Sequence, residues 1–124
     1  MKLKHITLFV ILFVIISCTQ ASKTELLCEA KWELTSLKNG ETEIPVPSGK
    51  KAWMQFFKDG KHKTYIGGNS DEGTWSLTKN EDSLLVASEK EKISAHIDLL
   101  TSEKLHLSYQ MDGSKFTMTL KKEE

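Results

Sequence analysis

Residues Ile93-Ser94-Ala95-His96-Ile97-Asp98-Leu99 alternate apolar and polar side chains at all seven positions. Residues 105–111 and 116–120 repeat the same alternation. An amphipathic helix would need apolar residues at i, i+3 and i+4, and the i+3 position counted from Ile93 is His96. A strand directs successive side chains to opposite faces, so a period of two matches a strand with one buried face. These three segments are therefore predicted to be β-strands.

Five earlier segments are also compatible with strands, and turn residues separate them. The segments are residues 32–34, 53–57, 63–66, 74–77 and 83–87. Asp59-Gly60 and Asp112-Gly113 suit tight hairpins because both residues can adopt positive φ. Eight short strands, mostly spaced roughly 8–12 residues apart, indicate an all-β barrel or sandwich. We predict a small antiparallel eight-stranded barrel, because eight strands can close around packed side chains or one small ligand, and closure leaves no sheet edge exposed.

The alternation also predicts which side chains point into the barrel, since apolar residues two apart share one face of a strand. The predicted inward set is Trp32, Leu34, Met54, Phe56, Tyr65, Trp75, Leu77, Leu84, Val86, Ile93, Ala95, Ile97, Leu105, Leu107, Tyr109, Phe116, Met118 and Leu120. Its aromatic members Trp32, Phe56, Tyr65, Trp75 and Tyr109 are the candidates for a ligand pocket. They could instead fill the interior of a small barrel, and this second interpretation is favoured.

The first 17 residues have the parts of a secretory signal. Residues 1–5 form a short basic start, and residues 6–16 are apolar except for Thr7. This apolar run is shorter than the about 20 residues that a membrane-spanning helix needs. A signal peptide that is removed on export is therefore predicted over residues 1–17.

Ile15-Ile16-Ser17-Cys18 resembles a lipobox, the pattern at which bacterial lipoproteins are lipidated and cleaved. The resemblance implies diacylglycerol on the Cys18 thiol, cleavage before Cys18 and acylation of the new amino group, for example with palmitate. A thiolate alkylates readily, and more than one acyl chain gives stable anchoring. Residues 18–27 are then the lipidated cysteine and a short tether, and residues 28–122 are the barrel domain.

Charge and cysteine content exclude several classes of protein. The 124 residues include 17 Lys and Arg and 17 Asp and Glu, and loss of Lys2 and Lys4 with the leader leaves a net charge near −2. The charges are dispersed with no basic, aromatic-rich face, so nucleic acid is not an expected partner. If Cys18 is lipidated, Cys28 has no partner within the chain, which excludes a disulfide framework. Cys28 is interpreted as an inert, half-buried thiol, and the alternative is an intermolecular disulfide.

Over roughly residues 28–122, the chain resembles the small lipocalin-like lipoproteins of Bacteroidetes-type bacteria. The shared pattern comprises Trp32-x-Leu34, Phe56-x-x-Asp59-Gly60, Gly73-x-Trp75-x-Leu77, Leu84-x-Val86, Ile97 to Thr101 and Leu105-x-Leu107. The resemblance implies a lipocalin-like barrel, and it concerns fold more than activity because these are turn and core residues. Ala30 stands where the family usually has Gly, and the helix that follows the barrel in large lipocalins is missing, which argues against a large cavity.

The sequence contains none of the common catalytic signatures. H-E-x-x-H, G-x-S-x-G, P-loop and Rossmann glycine patterns are absent, so we predict no enzyme, no catalytic residue and no cofactor. His96 and His106 occupy polar positions of alternating strands and are expected to face solvent, so no metal site is predicted. Residues 67–73 lack the ligand spacing of a calcium loop and are interpreted as a flexible connection.

Two functions are consistent with these features. The first is a membrane-anchored, monomeric lipoprotein whose barrel binds a small apolar ligand near one open end. The alternative is a non-enzymatic lipoprotein whose outer surface contacts another cell-envelope protein. An interior void above roughly 300 Å³ would favour a ligand, and a filled interior would favour protein contact. Thr19 is not the Asp that retains some lipoproteins at the inner membrane, so the resemblance favours the outer membrane, on either face.

Overall fold

Nine antiparallel strands and one short helix make up the part of the chain that the structure, a computed structural model, describes: residues 22–47, 49 and 51–123. The elements are α1 (Lys23–Cys28), β1 (Lys31–Asn39), β2 (Thr42–Ile44), β3 (Ala52–Phe56), β4 (Lys61–Ile66), β5 (Asn69–Leu77), β6 (Ser83–Ser88), β7 (Lys92–Leu100), β8 (Lys104–Met111) and β9 (Ser114–Lys122). The predicted signal peptide and Cys18 lie outside the described residues. Within those residues, no helix is long and apolar enough to cross a bilayer.

The sheet closes on itself, as predicted. Each strand from β3 to β8 pairs with the strand that follows it, while β1 pairs with both β3 and β9. The closing registers are Trp32 with Met54 and Leu34 with Leu120. Strand β2 is an addition to the prediction, and it pairs with the distal half of β1 on the same edge that β3 occupies. The barrel therefore has eight strand positions, and closure satisfies backbone groups that an open sheet would expose.

Two irregularities in the ladder change which face the following residues occupy. The register of β1 shifts between Leu34 and Ser36, and that of β7 shifts between Ile97 and Leu99. An extra residue in one strand turns the next side chain to the opposite face. Leu100 consequently packs against the core, whereas Leu99 is 38% exposed. The alternating apolar residues therefore stay on the inner face only as far as Ile97, although the alternation in the sequence continues to Leu99.

The predicted inward residues lie on the inner face of the barrel, where most of them pack in or against the core, with one exception. Among the described residues, the largest fully buried side chains are Trp32, Phe56, Leu27, Leu84, Leu105, Leu107 and Leu120. Tyr65 was predicted to point inward, and the structure contradicts this prediction. It pairs with Trp53 across β3 and β4, and the two rings stack on the outer face with centroids 5.8 Å apart. The inward positions of β4 belong to His62 and Thr64, which pair with Phe56 and Met54.

Helix α1 occupies part of the segment that was predicted to be a tether. The Ser22 hydroxyl accepts a hydrogen bond from the backbone N–H of Glu25 and caps the helix. Leu27 is completely buried in the core cluster. The Trp32 indole donates to the Leu27 carbonyl at 3.0 Å. A helix of six residues buries too few side chains to produce a visible 3.6-residue period, so periodicity did not reveal it.

The barrel has two distinct ends. Helix α1 lies at the end we call the base, where the Lys23 ammonium donates to the carbonyl of Glu81 in the β5–β6 turn. The turns after β3 and β7 lie at this same end. The opposite end, the mouth, carries the two-residue Gly67-Gly68 turn and the β6–β7 and β8–β9 turns. Because α1 packs against β3 and β7, the base is covered.

Candidate functional site

A cavity of about 260 Å³ lies inside the barrel between the packed core and the mouth. Much of its wall is apolar and comes from β1 and β6 to β9. The principal apolar residues are Leu34, Val86, Ile93, Leu107, Tyr109 and Met118. Exposed residues of the mouth, among them Ile66, Ser70 and Lys90, also line it, so the cavity opens to solvent there. Its volume is slightly below the roughly 300 Å³ typical of the smallest ligand pockets, and the barrel interior is therefore neither filled nor large.

The opposite wall, formed by β4 and β5, is polar. His62 and Thr64 project from β4, while Asn69 and Asp71 project from β5. The polar residues of the two strands are neighbours in the β4–β5 ladder, where Thr64 pairs with Asp71 and His62 pairs with Gly73. His62 and Thr64 point inward because they pair with Phe56 and Met54, the inward residues of β3. One side of the cavity is therefore lined by hydrogen-bonding groups, whereas the facing side is mainly apolar, apart from Tyr109 and the residues at the mouth.

His62 is the most deeply buried polar side chain of this wall, with 3% of its surface exposed. Its Nε2 lies 2.5 Å from the Thr64 hydroxyl oxygen, and its ring stacks on Phe56 with centroids 5.7 Å apart. Nδ1 is buried and has no hydrogen-bond partner among the described residues. Burial lowers the pKa of His62, and the negative charge of Asp71 offsets part of that effect. The imidazole is consequently neutral at neutral pH.

Asp71 is the one carboxylate on the polar wall of the cavity. One of its oxygens accepts a hydrogen bond from the backbone N–H of Glu72 at 3.0 Å. Among the ion pairs of the described residues, none involves Asp71. Lys90 and Glu91 lie next to each other at the mouth, so their charges largely cancel. Asp71 therefore gives the interior a net negative charge, since His62 is neutral.

The five aromatic candidates are distributed over four regions of the barrel. Tyr109 lines the cavity and stacks on Phe116 with centroids 5.4 Å apart. Burial raises the pKa of Tyr109, with a further contribution from Glu91, so its phenol stays protonated. Trp32 is fully buried near the base, and Tyr65 is on the outer face.

Phe56 and Trp75 are brought together below the cavity. Their rings meet edge to face, with centroids 5.5 Å apart and an interplanar angle of 67°. The Trp75 indole also donates to the carbonyl of Phe57 at 2.7 Å. Both side chains are buried, so they support the cavity from below and do not form its lining.

Residues 67–73, which were interpreted as a flexible connection, form the turn and the first part of β5 instead. Gly67 and Gly68 both have positive φ, 57° and 95°, which suits a two-residue hairpin turn. The sequence carries a signal for this arrangement. Counting back in twos from Leu77 through Trp75 reaches Asp71 and Asn69, which places them on the inner face. Because Asn69 and Asp71 are polar, a search for alternating apolar residues does not place them on the inner face.

Other ionisable groups in the described part of the chain include the His96–Asp98 pair and Cys28, and none of these three residues lines the cavity. No group of three or more His, Cys, Asp or Glu residues there could hold a metal ion. The His96 Nδ1 lies 3.0 Å from an Asp98 oxygen, and both side chains are largely exposed. Cys28 is half-buried, and burial raises the pKa of its thiol, which favours the unreactive thiol form.

No protein-family model and no curated protein matches the sequence of this chain. The features that bear on function are therefore the barrel, its covered base and the half-polar cavity.

Proposed function

We propose that this chain is an exported lipoprotein, anchored through Cys18 in a cell-envelope membrane, whose lipocalin-like barrel binds a small ligand. The lipobox-like sequence Ile15-Ile16-Ser17-Cys18 supports the anchor. Thr19 favours the outer membrane, on the grounds given above. The anchor also suits the barrel's geometry. Helix α1 starts at Lys23, close behind Cys18, and lies at the base, so a lipid on Cys18 would leave the mouth directed away from the bilayer.

The observation that carries the ligand-binding proposal is the open cavity. Protein interiors are packed to the density of organic crystals, and voids larger than a water molecule are few. A void of about 260 Å³ that opens at one end of the barrel departs from that rule. Eight-stranded barrels have room for one small ligand. A ligand with an apolar part would remove the surface of Val86, Ile93 and Met118 from water.

Binding can be tested with n-hexanol and the full chain, produced in a bacterium and reconstituted in nanodiscs of zwitterionic phospholipid. A ligand that binds the native state alone raises the unfolding midpoint as its concentration increases. Tryptophan fluorescence reports that midpoint. We expect n-hexanol to raise the midpoint of the wild-type chain. Val86→Phe, which fills the cavity, should remove the effect.

Leu85→Phe is the matched control. Leu85 is adjacent in β6 but is 41% exposed on the outer face, so this variant should respond to n-hexanol like the wild type. It also controls for any effect of the alcohol on the bilayer. If n-hexanol shifts the midpoints of all three chains equally, the cavity does not bind it, and the ligand-binding proposal fails.

The anchor is tested separately by metabolic labelling with a tagged fatty acid. Cys18→Ala should abolish incorporation of the label and leave the precursor uncleaved. Cys28→Ala should incorporate label like the wild type, because Cys28 belongs to helix α1 and the barrel domain. Label on the Cys18→Ala chain would show that the lipid is attached elsewhere.

Contact with another envelope protein, the alternative function, has weaker support. The large apolar side chains exposed among the described residues are Ile66, Leu85 and Leu99, at 42%, 41% and 38%. They belong to three different strands, and single exposed apolar residues are ordinary on protein surfaces. The cavity remains the feature that distinguishes this barrel from a filled one.

A further inference from the structure

The cavity is asymmetric, and this asymmetry restricts the chemistry of its ligand. Strands β6 to β9 contribute Val86, Ile93, Tyr109 and Met118, which offer mainly van der Waals contact. Strands β4 and β5 contribute hydrogen-bonding groups on the facing wall. A wholly apolar ligand would fill the space, but it would cover these groups without replacing the water they bond to. Covering a polar group without a compensating hydrogen bond is unfavourable.

The polar wall offers acceptors for a positively charged group. Asp71 is anionic, and its second carboxylate oxygen has no protein partner among the described hydrogen bonds. The neutral His62 ring does not offset the negative charge of Asp71. The nearest charges at the mouth, Lys90 and Glu91, are of opposite sign. A bound cation would therefore meet an unopposed carboxylate in surroundings that are less polar than water, where its attraction to Asp71 is strengthened.

The buried nitrogen of His62 is a second, independent sign that this wall is incomplete. Buried polar atoms without a partner are rare in folded proteins, and His62 Nδ1 is one of two such atoms in the described side chains. His62 pairs with Gly73, and the next inward pair of the ladder toward the mouth is Thr64 with Asp71. The His62 ring therefore lines the cavity one inward pair closer to the base than Asp71. In the tautomer whose Nε2–H donates to the Thr64 hydroxyl, Nδ1 is an unpartnered acceptor, and a ligand with several donors would improve the hydrogen bonding of this region.

We propose that the cavity binds a small cationic amphiphile, an amine whose ammonium group lies against Asp71 and whose short apolar part lies against β6 to β9. This inference rests on the proposed ligand-binding function. This class of ligand differs from a simple apolar molecule by its ammonium group. Hydrogen bonds that involve an ionised donor and acceptor are roughly twice as strong as neutral ones.

The test compares three probes with the same apolar chain: n-hexylamine, n-hexanol and n-hexanoate. The full-length chain in zwitterionic nanodiscs is titrated with each probe at neutral pH, and dissociation constants are obtained from the midpoint shifts. We expect n-hexylamine to bind about five- to tenfold more tightly than n-hexanol. The anion n-hexanoate should bind most weakly, because it would be repelled by Asp71.

Two variants assign the preference to one carboxylate. Asp71→Asn should bring the affinities of n-hexylamine and n-hexanol to within about twofold of each other, with n-hexanol affinity unchanged. Glu72→Gln removes the same charge from the adjacent residue, whose side chain is exposed and paired with Lys63 at 3.6 Å. It should keep the amine preference of the wild type. If Asp71→Asn does not fold, Asp71→Ser serves the same comparison, and the three-probe comparison on the wild type is independent of both variants.

The outcomes separate this inference from the function on which it rests. If n-hexanol binds and Val86→Phe abolishes binding, but n-hexylamine is no tighter, the amine proposal is overturned and the binding function stands. Tightest binding of n-hexanoate, or an equal loss in Glu72→Gln and Asp71→Asn, also overturns it. If no probe binds, both proposals fail.

Discussion

The indole N–H of Trp32 donates to the carbonyl oxygen of Leu27 at 3.0 Å, and this bond joins the first strand of the barrel to the helix beneath it. Both side chains are completely buried. Helix α1 is therefore part of the packed domain, and the base of the barrel is closed by residues that precede β1. The cavity opens at the mouth because the other end is covered in this way.

Removing the Leu27 side chain tests this role of helix α1. Leu27→Ala should lower the free energy of unfolding by about 2–5 kcal/mol, the usual range for a buried leucine. Glu29→Ala, at an exposed position directly after the helix, should change it by less than about 0.5 kcal/mol. Urea unfolding followed by tryptophan fluorescence measures both. Equal midpoints for the two variants would show that α1 is not docked.

Trp75 should affect stability in two separable ways. Trp75→Ala should cost about 3–5 kcal/mol, because a large buried side chain is lost. Trp75→Phe keeps much of the apolar volume but loses the hydrogen bond to the Phe57 carbonyl. That carbonyl also accepts from the backbone N–H of Gly60 at 3.0 Å, so the lost bond itself should cost only about 0.5–1.5 kcal/mol.

The control for Trp75 is its exposed neighbour Ser76, and Ser76→Ala should unfold near the wild-type urea concentration. The expected order of unfolding midpoints is wild type, Trp75→Phe and then Trp75→Ala. A midpoint for Trp75→Ala equal to that of the wild type would mean that the indole does not contribute to the core.

Gly73 is required by a close approach of two strands. A Cβ atom at this position would lie 1.9 Å from the backbone carbonyl oxygen of Ala87 in β6, far inside van der Waals contact. Because backbone cannot give way as a flexible side chain can, Gly73→Ala should destabilise the barrel by at least about 1–3 kcal/mol. Thr74→Ala, at the next and exposed position, should be nearly neutral. The prediction fails if the two variants have the same unfolding midpoint in urea.

His62 should make stability depend on pH in a window below neutrality. Its pKa in the folded chain is lowered from the ordinary value of 6.5, chiefly by burial against Phe56 and Thr64, with partial compensation from Asp71. As the pH falls through 6.5, the unfolded chain takes up a proton that the folded chain does not. The free energy of unfolding therefore decreases until the pH reaches the lowered folded pKa, and it does so by at most about 1.4 kcal/mol per pH unit.

The matched variants are His62→Gln, which keeps a hydrogen-bonding group near Thr64, and His106→Gln on the outer face of β8. Urea unfolding at several pH values should show a shallower dependence for His62→Gln and an unchanged one for His106→Gln. The carboxyl of Asp82 does not confuse the result. Its pKa is lowered from 3.8, chiefly by a hydrogen bond from Thr78, so its contribution is lost only in more acidic solution. Identical pH dependence in all three chains would contradict the assignment to His62.

The sequence by itself determined the class of fold, because apolar and polar residues alternate along the sequence wherever one face of a strand is apolar. The alternating runs 93–99, 105–111 and 116–120 lie in strands β7, β8 and β9, and the Asp112-Gly113 pair forms the predicted tight turn with φ of 53° and 79°. The physical reason is local. Period-two patterning, turn conformation and burial of one face are all specified by neighbouring residues.

Only the tertiary structure decided which face of β4 and β5 lies inside. In these strands the expectation that apolar side chains point into the barrel fails. Tyr65 faces outward, while His62, Thr64 and Asp71 face the cavity. Their direction is set by the backbone ladder, which transmits the register of Met54 and Phe56 in β3 to the strands that follow. A sequence pattern shows which residues are polar, but pairing between strands decides which residues face the inside of a closed barrel. A polar site inside the barrel can therefore be located only when that pairing is known.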